Sequence, residues 1–132
     1  MKYLLDTHVW VWWSMHPENL SRRVKRLIAA SEKYEEILLS AISVWEFCKL
    51  LEKERIGISC DPQDWLETAL AMPKLRLVPL TPVIAYRSTV LSQLATADPA
   101  DQIIVATAQE ENATLLTKDE SLRQCACLRT IW

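Results

Sequence analysis

The chain has 132 residues, half of them apolar, which suits one domain with a core large enough to need no disulfide support. No apolar run is long enough to span a bilayer. Asp6 and His8 interrupt the N-terminus where a secretion signal needs unbroken apolar residues, so a cytoplasmic home is the default expectation. The formal net charge of −2 is unusual for a nucleic-acid binder. If four acids held a metal, thirteen of the seventeen would remain against fifteen Lys and Arg, so charge excludes little.

The elements alternate along the chain. Lys2 to Asp6 reads as a short buried strand. Ser21 caps a helix in which Val24, Leu27 and Ile28 recur at helical spacing. Glu36 to Ser40 is a second apolar strand, and Ser43-Val-Trp-Glu46 has the form of a capping box, with Val44, Phe47, Cys48 and Leu51 on one face. Asp61-Pro62 opens a helix with Trp65, Leu66, Ala69 and Leu70 on its buried side. Leu75 to Val78 is a strand. Thr81-Pro82 starts a helix reaching about Leu94, and Asp98-Pro99 one reaching about Asn112. Thr114 to Thr117 is a strand and Leu128 to Trp132 the last. This order predicts a single α/β domain over 1–132 with a mainly parallel sheet, its short apolar strands buried on both faces.

In such sheets the functional rim lies at the carboxyl ends of the strands. Asp6 closes the first strand and Asp119 follows a later one. The helix carrying Glu46 leaves the second strand there, and the helix carrying Asp98 and Asp101 must begin there to return the chain to Thr114. Asp6, Glu46, Asp101 and Asp119 therefore converge. Packed carboxylates repel unless a cation neutralises them, and oxygen-only donors suit Mg²⁺ or Mn²⁺. Such a site can activate water against a phosphodiester. Each acid has a structural reading as well: Asp6 as a turn former, Glu46 in the capping box, Asp98 and Asp101 in a helix's first turn, Asp119 as a cap. The argument rests on convergence. Pro99 at the first helical position makes Asp98 the N-cap, bonded chiefly to the N–H of Asp101, and leaves the Asp101 carboxylate to the metal.

Four segments, in order, carry a resemblance: Tyr3-Leu-Leu-Asp-Thr-His-Val-Trp10, Leu39-Ser-Ala-Ile-Ser-Val-Trp-Glu46, Asp98-Pro-Ala-Asp101 running into Ile103-Ile-Val-Ala-Thr-Ala108, and Leu115-Leu-Thr-Lys-Asp119. With them the chain resembles the PIN-domain family, specifically VapC-type toxins of toxin–antitoxin pairs. The resemblance implies a PIN-like three-layer domain with five parallel strands, and a metal-dependent ribonuclease. It makes Asp6, Glu46, Asp101 and Asp119 the metal-holding quartet, with Asp98 assisting and Thr7 and Thr117 supporting. It also implies RNA as substrate, an antitoxin partner and a homodimer. Relatives often carry histidine and arginine where Thr96 and Gln102 stand, so Lys118 or Arg123 is expected to contact substrate instead. The glycine usual near the end of the Glu46 helix is displaced to Gly57, which predicts a longer turn.

The cysteines, Cys48, Cys60, Cys125 and Cys127, lack the two close pairs of a zinc site and are expected to be buried or incidental thiols. Trp10, Trp12, Trp13 and Trp45 flank the acids; base stacking and packing are both open, with packing the commoner fate. Two other functions compete: a Mg²⁺-dependent phosphohydrolase on small phosphate esters, and a non-catalytic binding module of the same fold. The dehalogenase-type phosphohydrolase needs a second aspartate where His8 stands.

Overall fold

The computed structural model describes residues 1–31, 36–91, 94 and 98–132. The described elements are β1 (Tyr3–Leu5), α1 (Thr7–Met15), a 3₁₀ turn (Pro17–Asn19), α2 (Arg22–Ala30), β2 (Ile37–Ser40), α3 (Ala41–Glu52) and α4 (Pro62–Leu70). They continue with β3 (Leu75–Val78), α5 (Pro82–Thr89), α6 (Pro99–Glu111), β4 (Thr114–Leu116), α7 (Glu120–Arg123) and β5 (Thr130–Ile131). The five strands form one sheet in the order β3-β2-β1-β4-β5, and every pairing is parallel. The expected α/β class and parallel sheet are borne out.

Period-two alternation sorts the strand residues between two cores. Leu5, Ile37, Leu39 and Leu116 face a layer with Val9, Trp10, Val24, Phe47 and Ala69. Leu4, Leu38 and Leu115 face the other, with Ile84, Ile104, Val105 and Leu122. Both faces of the sheet are therefore covered, which a sheet of parallel strands requires.

Three local expectations change. The N-cap of α3 is Ser40, whose hydroxyl accepts from the Ile42 N–H. Ser43 is buried inside the first turn and Glu46 is not the far half of a capping box. Helix α5 ends at Thr89 rather than near Leu94; Ser88 and Thr89 turn their hydroxyls onto the Ala85 and Tyr86 carbonyls, a competition that weakens a helix end. Residues 92, 93 and 95–97, with Thr96, lie outside the described residues. Cys48 and Cys60 are free and exposed, incidental rather than buried thiols, whereas Cys125 and Cys127 are joined by a disulfide rather than standing as thiols.

Helix α1 was not foreseen. Its Thr-His-Val-Trp-Val-Trp-Trp run is β-branched and aromatic, which favours strand. Here Asp6 caps it, its carboxylate accepting from the Thr7 N–H, and burial of Val9, Trp10 and Val11 overrides local preference.

Helix α3 ends in a reversal. The Arg55 N–H donates to the Leu50 carbonyl at 2.9 Å and the Glu54 N–H to that of Leu51 at 3.1 Å, the paired bonds of a Schellman turn. The left-handed residue is Glu54, with φ 56°. Gly57 has no positive φ, so it does not stand in for the turn glycine.

Candidate active site

The register aligns Leu5 with both Leu39 and Leu116, so Asp6, Ser40 and Thr117 lie side by side at the carboxyl edge. The Asp6 N–H donates to the Leu116 carbonyl at 3.1 Å, extending the ladder one residue. This edge is also where the chain's crossovers diverge, to β2 on one side of β1 and β4 on the other, the usual place for a site in such sheets. A cavity of ≈ 260 Å³ opens there. Asp6, Glu46, Asp101 and Asp119 all line it, with Thr7 and His8, while Trp12, Leu50 and Ile56 give it apolar walls.

Each carboxylate is held differently. Asp6 is buried; one oxygen accepts from the Thr7 N–H at 2.8 Å and the other from the Thr117 hydroxyl at 2.7 Å. The Thr117 hydroxyl also accepts the Asp119 N–H at 3.0 Å, so one side chain ties two of the acid-bearing segments together. Thr7 contacts both Glu46 Oε1 and the Ser43 hydroxyl. Its single proton goes to the carboxylate, which can only accept, leaving Ser43 to donate to Thr7. Asp119 caps α7 and takes its bonds from Ser121 and Leu122 on Oδ1 alone. Asp101 has neither hydrogen bond nor ion pair among the described residues. Asp98 does cap α6, but its oxygen accepts from the Ala100 N–H at 2.9 Å rather than from that of Asp101.

The charges follow from these surroundings. Burial, with the charges of Asp6, Asp98, Asp119 and Glu46, pushes the Asp101 carboxyl up to about 7. Burial also raises Glu46, against the Thr7 hydroxyl and with Asp6 and Asp98 adding. Burial works to raise Asp119, but its bonds from Ser121 and Leu122 prevail and hold it below the usual carboxylate range.

His8 is a site residue that sequence reasoning missed. Its Nε2 accepts from the Lys118 N–H at 3.1 Å. That selects the neutral tautomer with its proton on Nδ1, 3.4 Å from Asp6 Oδ2. Burial lowers its basicity against the pull of Asp6 and Asp119. The ring packs on Trp12, over which Lys118 Nζ stands at 5.8 Å from the ring centroid. Lys118 is thus beside the cavity, whereas Arg123 pairs with Glu120 at 3.1 Å and does not line it. Among the tryptophans, Trp10 is core, packed on Phe47 and Trp65, and Trp45 is exposed.

The donor set fits a hard divalent cation. It is all oxygen, Glu46 Oε2 and Asp119 Oδ2 have no protein donor among the described residues, and Asp101 is an unpartnered acid amid four others. Among the described residues, no three His, Cys, Asp and Glu side chains converge on one ligating point. Asp6, Glu46 and Asp119 each turn at least one oxygen to protein donors.

The pattern described as "PIN domain" matches residues 3–126. Ribonuclease VapC22 of Mycobacterium tuberculosis is 37% identical over 131 residues, 98% of this chain and 97% of that protein. In structure, the chain is similar to a DNA-bound VapBC from Salmonella typhimurium (TM-score 0.71, 17% identity, 99% of this chain and 97% of that one). It is also similar to M. tuberculosis VapC20, described as a sarcin–ricin loop cleaving toxin (TM-score 0.60, 17% identity, 97% and 99%). With the pattern spanning nearly the whole chain and a relative this similar end to end, the chain belongs to the PIN-domain family, in its VapC-type branch.

Proposed function

We propose that the chain is a divalent-metal-dependent endoribonuclease, the toxin of a toxin–antitoxin pair. The observation that carries this reading is the half-buried Asp101, without hydrogen bond or ion pair among the described residues, in a cavity it shares with Asp6, Glu46 and Asp119. The 37% identity to a ribonuclease points to RNA. Asp6, Glu46, Asp101 and Asp119 would hold Mg²⁺ or Mn²⁺, with Asp98 in a secondary role. Held there, the ion would supply a water of lowered pKa and offset charge on a phosphodiester.

The protein's own part is orientation. Thr7 and Thr117 fix both oxygens of Asp6, and the Ser43–Thr7–Glu46 chain aims Glu46. Neutral His8 clasps the Lys118 backbone to Asp6 without adding a competing cation. Of the two cations proposed for substrate, Lys118 is the better placed, and Arg123 would first have to leave Glu120.

An antitoxin and a second copy of the chain complete the proposal. An apolar groove of ≈ 430 Å³ between Trp13, Leu20, Ile28 and Met72 suits an apolar helix of the antitoxin. The exposed Val83 and Tyr86 of α5, with Leu80 and Val90 at its two ends, suit a homodimer contact.

The test compares structured RNA with small phosphate esters, each with and without Mg²⁺. Cleavage of RNA alone, lost on chelation, is expected. Turnover of the small esters alone would point to the phosphohydrolase, and binding without turnover to a non-catalytic module.

A further inference from the structure

A second cavity, ≈ 600 Å³, adjoins the acidic one and shares Glu46 and Leu50 with it. It runs along α3 past Trp45, Lys49, Lys53 and Arg55, with Asp98 and Pro99 on the facing wall. Lys49 is occupied, paired with Glu52 at 3.1 Å and lying 5.7 Å from the Trp45 ring centroid. Lys53 and Arg55 have no side-chain partner among the described residues. Trp45 is 55% exposed, an uncommon state for the largest apolar side chain.

The turn at Glu54 builds this arrangement. By reversing the chain it brings Arg55 to the groove and the next residue, Ile56, to the acidic cavity. A non-glycine residue is held left-handed where the reversal forms a wall of both cavities.

We propose that this groove takes the backbone of single-stranded RNA and leads it to the acidic cavity, with Lys53 and Arg55 on phosphates and Trp45 stacked on a base. The inference rests on the ribonuclease reading and adds the path of the substrate. An acidic cavity repels a phosphodiester, so capture must come from cations beside it: Lys118 stands over Trp12, and Lys53 and Arg55, without side-chain partners among the described residues, line the groove where α3 ends. Asp98 on the facing wall confines the phosphates to the α3 side. Cations flanking an exposed aromatic plane are the elements of sequence-tolerant single-strand binding. An acidic protein segment would satisfy the cations, but only a nucleic acid brings an aromatic ring with every charge, as the exposed Trp45 beside them favours.

The test is fluorescence anisotropy with a short labelled oligouridylate in excess chelator. Between about 50 and 200 mM salt the wild type should lose about sevenfold more affinity than Lys53→Ala/Arg55→Ala, the counterion release of two single-strand phosphate contacts. Trp45→Ala should weaken binding roughly five- to 150-fold at fixed salt. Lys25→Ala, in the separate apolar groove, removes one positive charge away from both cavities and should bind as the wild type does. The groove is overturned if the double variant keeps wild-type affinity and salt slope, if Lys25→Ala falls as far, or if the wild type does not bind the oligomer. Binding that needs the groove, in a protein that never cuts RNA with Mg²⁺, leaves the groove standing and defeats the ribonuclease reading. Cleavage by groove variants at the wild-type rate and KM does the reverse.

Discussion

Replacing Asp101 with asparagine should stabilise the metal-free fold while abolishing cleavage. Burial and the four neighbouring acids push the Asp101 carboxyl from 3.8 up to about 7. Between those values the folded protein holds a proton that the unfolded chain has released. The group's contribution therefore favours the fold fully below about pH 3.8 and is lost as pH rises to about 7. A shift of about three units corresponds to about 4 kcal/mol. Asp101 is only half-buried, and solvent screening reduces this to about 2 kcal/mol. Asparagine carries no charge to be penalised, so Asp101→Asn should be more stable by about 2 kcal/mol near pH 8 in chelator, a rise in Tm of roughly 8 °C. The gap should narrow with falling pH and close near pH 4. Added Mg²⁺ should raise the melting temperature of the wild type more than that of the variant, since binding to the fold alone is what stabilises. Urea and thermal denaturation across pH measure this. A variant that melts at or below the wild type at pH 8 without divalent ions would refute the reasoning.

Asp98→Asn should keep the fold and much of the activity, because asparagine caps a helix about as well as aspartate; rates across a Mg²⁺ titration check it. A dead Asp98→Asn beside an active Asp101→Asn would invert the two roles. Thr117→Val removes the hydroxyl shared by Asp6 and the Asp119 N–H and should cost roughly 10- to 100-fold in metal affinity or rate. An unchanged Mg²⁺ half-saturation and rate would count against that positioning. Glu54→Gly relieves a left-handed residue and should stabilise the fold by about 1 kcal/mol in urea titrations. No gain would mean the turn carries no such strain.

The parallel sheet and its rim were legible because short apolar strands alternating with capped helices favour parallel pairing, and because Asp6 and Asp119 end buried runs. What sequence could not show was decided by tertiary contact. Helix α1 forms against its local composition because Trp10 and Val9 are buried. Ser43 and Glu46 sit at capping-box spacing, but Ser40 takes the cap, and both are released to Thr7, which strengthens Glu46 as a site residue. His8 gave no signal in sequence, since its role depends on the Lys118 backbone passing beside it. The basic groove needed the turn at Glu54; Gly57 predicted a longer turn there, but not that a glutamate would hold its left-handed position. Arg123 follows Asp119 closely in sequence yet is engaged by Glu120, one turn earlier in the same helix.

Divalent-ion rescue is the most direct test of the central claim. Structured RNA is incubated with the purified chain in excess chelator, then with Mg²⁺ or Mn²⁺ in excess of it, beside Asp6→Asn and Asp101→Asn treated alike. The account predicts no cleavage in chelator, restored cleavage by the wild type on either ion, and none by the two variants. Cleavage that persists in chelator, or that both variants retain at saturating Mg²⁺, would contradict it.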